Sequence, residues 1–160
     1  MKVIGTRYVP GLILWISNKL SSSASQLYGP SFGIGLTDWR VLAFFEIHPW
    51  TTAAQACASI GFDKAAVSRS VGWLQKGGWL KSRPCGLRKV EYSTTPSGKT
   101  LYKKVAEVAL AREEALLTGL SAAERESLID LLHRLLGNID VVQEVGRTKT
   151  KRTAKREYVA

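Results

Sequence analysis

Apolar positions along the chain fall mostly into helical spacing, broken once by a short alternating segment. Residues 10 to 28 begin with an apolar half (Leu12, Leu14, Trp15, Ile16, Leu20) and continue serine-rich, which predicts a helix too apolar to stand unpacked. The stretch GPSFGIG, with three glycines and a proline, is expected to break it. Thr37 is placed to cap a short helix reaching about Ile47, in which Trp39, Val41, Leu42 and Phe45 mix core and boundary positions. Thr51 or Thr52 can cap the next, where Ala53, Ala56, Cys57 and Ile60 recur at i, i+3, i+4 and i+7 and permit close packing. Gly61 ends that helix and Asp63 caps another within three residues, the tight two-helix arrangement of a helix-turn-helix. Gly77 and Gly78 stop the second helix.

WLKSR and VEYSTT then flank PCGL, a pair of short strands around a Pro/Gly loop. Thr95 followed by Pro96 marks the start of a long helix with Leu101, Val105 and Val108 on one face. Ser121 and Glu124 form a capping box ahead of a last helix whose Leu128, Leu131, Leu132, Leu135, Ile139 and Val142 make a continuous stripe. That stripe and the apolar first helix are more than a small domain hides easily, and suggest a helical region shared by two chains. The fold class expected is mainly α with a small β-hairpin wing. It comprises an N-terminal helix in a dimerisation region (1–36), a winged helix-turn-helix lobe (37–95), C-terminal dimerisation helices (96–146) and a disordered basic tail (147–160).

Charge sharpens this picture. The 160 residues carry 23 Lys and Arg against 13 Asp and Glu, a formal net charge of +10 that favours a polyanionic partner. The tail holds six of the basic residues, but a second run lies inside the fold. From Lys64 to Lys89 there are seven basic residues and no acidic one. Two cysteines are too few for a disulfide framework, and neither a leader sequence nor a membrane-length apolar run is evident, so a soluble cytoplasmic protein is expected, with no membrane partner.

In FDKAAVSRSVGWLQKGGWL, helical spacing puts Lys64, Ser68, Arg69, Gly72 and Lys76 on one arc and Val67, Ser70, Val71 and Leu74 on another. An open face of small and basic groups is what entry into the major groove of B-DNA requires. Ala65, Ser68 and Gly72 keep the face low, and Lys64, Ser68 and Arg69 can reach phosphates or base edges. Lys76, Lys81 and Arg83 extend the positive surface, and the hairpin tip with Arg88 and Lys89 can reach a minor groove or the flanking backbone. The plainer reading is a solvated basic face on a helical bundle. The joint order of helix, turn, helix and basic hairpin favours a DNA-binding protein.

Three runs carry a family resemblance: LTDWRVLAFFEIHPWTTAAQACASIGFDKAAVSRSVGWLQKGGWLKSRP, STTPSGK and LAREEALLTGLSAAERESLIDLLHRLL. They resemble the multiple antibiotic resistance regulator (MarR) family of bacterial transcription factors over roughly residues 10 to 142. The resemblance implies a homodimer with a helical dimerisation region and two winged lobes that read a pseudo-palindromic double-stranded DNA operator, usually released by a small ligand. By position it makes Asp63 the cap of the recognition helix, places Lys64, Ser68 and Arg69 against DNA, and makes Arg88 the wing-tip arginine. Two departures stand out: Ala65 and Ala66 where hydroxyl residues are frequent, and Gly86-Leu87-Arg88 where the wing usually reads Asp-x-Arg. Regulators of this kind commonly bind phenolic or aromatic acids or their thioesters. The residues offered for such a small aromatic effector are Trp15, Tyr28, Phe32, Trp39, Arg40, Phe44 and His48, all of which could equally be core.

Other chemistry is sparse. His48 and His133 lie far apart with no close Cys/His pair, so no metal site and no cofactor are expected. Cys57 is expected to be buried and inert. Cys85, in a basic and exposed loop, is expected to have a lowered thiol pKa, which leaves a thiol redox-sensing regulator as one alternative. An effector-independent architectural DNA-binding protein is another. No nucleophile with its base, paired carboxylates or phosphate loop is assembled, so no catalytic residue is assigned and an enzyme is not expected.

Overall fold

A computed structural model describes residues 7–145 of the chain. The basic tail expected at 147–160 lies outside the described residues. The element order is α1 (Val9–Phe32), α2 (Leu36–Ile47), β1 (Thr51–Thr52), α3 (Ala53–Ile60), α4 (Lys64–Lys76), β2 (Leu80–Cys85), β3 (Lys89–Thr94), α5 (Pro96–Leu116) and α6 (Ala122–Gly137). The fold is mainly helical with one small antiparallel sheet, of the winged-helix type. It divides into two compact units that meet between Ala111 and Arg112.

Within the first unit α2 is the centre. Val41, Leu42 and Phe45 are fully buried, and their partners Ile34, Ala56, Val67, Leu74 and Val105 come from the α1–α2 connection, α3, α4 and α5. Full burial of a side chain such as Phe45 is worth up to about 3 kcal/mol. α2 packs against α3, α4 and strand β3 of the sheet. The strand order is β1-β3-β2, and the register of the hairpin runs from Leu80 opposite Thr94 to Cys85 opposite Lys89.

Several elements depart from their sequence expectations for physical reasons. The glycine-rich stretch does not break α1 at Gly29. The helix continues through Pro30 to Phe32, with Tyr28 and Phe32 one turn apart in edge contact (ring centroids 6.2 Å), and Gly33 closes it in the left-handed conformation (φ 65°), its N–H donating to the Gly29 carbonyl. α2 begins before Thr37, with Gly35 at its N-cap and no side-chain cap, while the adjacent Ile34 is fully buried. A third strand was not foreseen: Thr51 and Thr52 pair with Tyr92 and Glu91, which adds β1 to the hairpin. Thr52 also caps α3 in a capping box with Gln55. The last helix is not continuous. α6 ends at Gly137, Asn138 caps it, and helical geometry resumes over residues 139–145.

The second unit carries the leucine stripe. Its first turn is fixed by the Ser121–Glu124 capping box, whose bonds hold the Glu124 carboxyl below its ordinary pKa, and Arg125 reaches back to Glu114 at 2.8 Å.

Candidate nucleic-acid interface

Helix α4 is set by its N-cap and by its buried face. Asp63 caps α4 by accepting from the Ala66 N–H at 2.9 Å, a cap worth about 1 kcal/mol. Val67, Ser70, Val71 and Leu74 are buried. The opposite arc, Lys64, Ala65, Ser68, Arg69, Gly72 and Lys76, is exposed along the whole helix. At Gly72 an added Cβ would meet nothing within 4 Å, so the middle of this face is open. The partition of apolar from small and basic residues thus follows the sequence periodicity.

Beside it stands the hairpin. Residues 81 to 90 are all exposed, so Lys81, Arg83, Arg88 and Lys89 present their charge to solvent. Gly86 takes a positive φ of 75°, which lets the tip turn between Cys85 and Lys89. A cleft of about 600 Å³ separates the hairpin from the start of α3, lined by Ala53, Ala54 and Gln55 on one side and Cys85, Arg88 and Glu91 on the other.

Not every cation in this region is equally free. Arg83 donates from Nε and Nη2 to one carboxylate oxygen of Glu91, at 2.9 and 2.8 Å, and its guanidinium lies 4.2 Å from the centre of the Trp50 ring. Lys81 approaches the same ring at 5.3 Å. Trp50 is the residue that sequence reasoning missed. It occupies the left-handed region (φ 59°) where a bulky side chain is strained, and is held there by its N–H bond to the Tyr92 carbonyl and by these two cations. HPWTT offers no signal of that conformation beyond the turn-forming proline.

Glu91 also changes the reading of Cys85. Its carboxylate accepts a hydrogen bond from the thiol, and that bond, then the negative charge, then slight desolvation raise the thiol pKa, against the weaker opposing charges of Arg83 and Lys89. The expected lowering by a basic loop is therefore corrected, because the acid-free run in sequence meets an acid across the hairpin. Glu91 itself is held below the usual carboxylate range, chiefly by its bond from Arg83. A raised thiol pKa means less thiolate at neutral pH, so Cys85 should alkylate with iodoacetamide more slowly than an unstructured cysteine. Glu91→Gln should accelerate it, and an unchanged rate would show that the carboxylate does not govern the thiol. Cys57 is half-buried against the core rather than fully enclosed.

The residues offered for an effector separate into groups. Tyr28, Phe32 and Trp39 come together: Trp39 meets the Tyr28 ring edge-on at 6.3 Å, and Tyr28 meets Phe32. Tyr102 of α5, not anticipated, stacks on Trp39 at 5.2 Å. Phe44 pairs instead with His48, at 4.9 Å. Arg40 donates to Ser21 Oγ at 3.1 Å and covers the Phe62 ring at 5.7 Å. Trp15 is exposed on α1. Among the described residues no His, Cys, Asp or Glu cluster could hold a metal ion, and no helix is long and apolar enough to cross a membrane.

Comparison with known proteins agrees with this architecture. The sequence model of the MarR family matches residues 32–88. No curated protein sequence gives a significant match. Among solved structures, a MarR/EmrR family transcriptional regulator from Acinetobacter sp. ADP1 is 30% identical, with 84% of this chain and 96% of that one covered at a TM-score of 0.77. A MarR mutant from E. coli complexed with operator DNA is 20% identical, with 85% and 99% covered at 0.70. BpsR of Bordetella bronchiseptica, whose DNA binding is regulated by 6-hydroxynicotinic acid, is also 20% identical, with 78% and 96% covered at 0.67. The last two share the fold. With the Acinetobacter relative aligned over nearly its whole length and the family's sequence pattern spanning the helix-turn-helix and the first strand of the hairpin, the chain belongs to the MarR family of transcriptional regulators, which are not enzymes.

Proposed function

We propose that this regulator is a homodimeric repressor that reads a pseudo-palindromic operator and is released by a small aromatic effector. The observation that carries the reading is the exposed arc of α4, with Lys64, Ser68, Arg69 and Lys76 around the open Gly72, beside a hairpin with Arg88 and Lys89 at its tip. An arc of this kind fits a major groove, with Arg69 able to bond guanine and Lys64 and Ser68 phosphate or base. Lys81, Arg88 and Lys89 supply sequence-independent attraction to the backbone. Arg83, held by Glu91 and Trp50, contributes its charge mainly by stiffening the hairpin.

Dimerisation accounts for two apolar surfaces that one chain leaves in water. α1 exposes Leu12, Ile13, Leu14, Trp15 and Ile16, and α6 exposes Leu128, Leu131, Leu132 and Leu135. The effector reading rests on the rings of Tyr28, Phe32, Trp39 and Tyr102, among which a flat aromatic acid could insert. Arg40, next to Trp39 on α2, is suited to its polar end, and His48, at the C-cap of that helix beside Phe44, is the other polar group offered.

One experiment covers both halves of the reading. Duplexes with a randomised centre are selected on the full chain, and the enriched sequence is then titrated in the presence of aromatic acids, 6-hydroxynicotinic acid first among them. We expect an inverted repeat and release of the protein by at least one acid. A selection that enriches no sequence would favour an architectural role. Enrichment without release by any acid would leave the repressor standing but remove the aromatic effector.

A further inference from the structure

The buried face of the recognition helix contains one hydroxyl where its neighbours are apolar. Ser70 is 3% exposed among Val67, Val71 and Leu74, and its Oγ donates to Asp38 Oδ1 of α2 at 2.6 Å. That is the length of a hydroxyl bonded to a carboxylate, roughly twice as strong as a neutral pair. Asp38 lies in the first turn of α2, where the helix dipole favours its charge. Its other oxygen closes on the backbone: a Cβ added to the N-cap Gly35 would stand 2.9 Å from Oδ2. The half-buried carboxylate thus lies against the start of its own helix.

The next residue on α2 is Trp39, which faces the other way in contact terms. Its ring stacks on Tyr102 of α5 and meets Tyr28 of α1. Two consecutive residues at the start of α2 therefore hold two different things, the recognition helix and the aromatic cluster. Apolar contacts around Val67 and Leu74 tolerate a small rotation of α4 about its axis, because they are non-directional. A hydrogen bond does not, since it weakens steeply with angle. A rotation of α4 would turn Arg69, adjacent to Ser70, across the exposed face.

We propose that Asp38 and Ser70 are positioning residues that fix the rotation of the recognition helix, and that Trp39 transmits to this bond the packing state of the Tyr28–Trp39–Tyr102 cluster. The proposal rests on the DNA-reading function above. It assigns to a non-contacting pair the difference between reading a sequence and binding any DNA. A ring entering the cluster would displace Trp39, tilt the start of α2 and carry the Asp38 acceptor away from Ser70.

The test uses the full chain, the duplex enriched by selection and a scrambled duplex of the same composition. Loss of one buried hydrogen bond in Ser70→Ala should lower affinity for the selected duplex roughly ten-fold, with less than about a two-fold change on the scrambled one. Ser70→Cys, nearly isosteric and a weak donor, should recover part of the loss. Equal losses on both duplexes, or intact discrimination in Ser70→Ala, would overturn the positioning role. Should Ser70→Ala fail to fold, Asp38→Asn takes its place, with a smaller loss confined to the selected duplex as the expected result and wild-type discrimination as the contrary one. Combining Ser70→Ala with Trp39→Phe tests the transmission: coupled residues should lose at least about three-fold less affinity together than the product of their single losses, whereas a multiplicative loss would sever Trp39 from the bond. A wild-type chain that prefers no duplex in the selection would refute the DNA-reading function itself, before any variant is made.

Discussion

Gly98→Ala should destabilise the winged-helix unit by about 3 kcal/mol, at the upper end for an overpacked site, and lower its melting temperature by on the order of 10 °C. Gly98 is buried in the first turn of α5, where that helix crosses the chain leaving α4. A Cβ there would overlap the carbonyl oxygen of Trp79 and stand 3.0 Å from its carbonyl carbon. The obstacle is backbone, and it is tied down: the Trp79 carbonyl accepts from Thr95 N–H at 3.0 Å, while Thr95 and Ser97 hydroxyls both bond the Gly78 carbonyl. Alanine gains up to about 1 kcal/mol of helix propensity over glycine, which the overlap outweighs. Gly72→Ala supplies the control, since a Cβ at that exposed helical position meets nothing within 4 Å. It should stabilise. Equal effects from the two substitutions, measured by thermal denaturation, would contradict the packing described at Trp79.

The second large effect concerns assembly. Leu132→Glu places a charge in the middle of the α6 stripe, at a side chain 47% exposed in a single chain, so the chain itself should fold as before. In a dimer that stripe would be buried, and a carboxylate there without a partner is costly. Sedimentation should therefore shift from dimer to monomer with an unchanged circular dichroism spectrum. Affinity for the operator should fall by roughly 100-fold or more, because two linked lobes gain that much from binding together. A variant that remains dimeric would place the interface away from α6.

Much of this was legible in the sequence where one local signal decides. The Asp63 cap, the Gly61 stop, the Ser121–Glu124 capping box and the alternation of buried and exposed residues in α4 depend on contacts within a few residues, and each appears as expected. What escaped depends on distant partners. Pro30 and Gly29 carry breaker chemistry, yet α1 runs on through Phe32 with Tyr28 and Phe32 in ring contact. Thr52 caps α3 as expected, but only the presence of β3 makes Thr51 and Thr52 a strand as well. In the candidate site, the basic run was visible but the Glu91 partner of Arg83 and Cys85 lies across the hairpin, so the sign of the thiol shift was misread. Trp50 and Tyr102 gave no signal, because the first is defined by a backbone angle and the second by a helix some sixty residues downstream of α2.

The central claim is that the exposed arc of α4 reads bases, and Arg69→Ala tests it most directly. The side chain is exposed and caps nothing, so the fold should be untouched. Titrated on the selected operator and on a scrambled duplex at one salt concentration, the variant should lose about 1 to 3 kcal/mol on the operator, as expected for one base contact, and change little on the scrambled DNA. Equal loss on both duplexes would mean that Arg69 meets phosphate alone, and that the recognition face lies elsewhere.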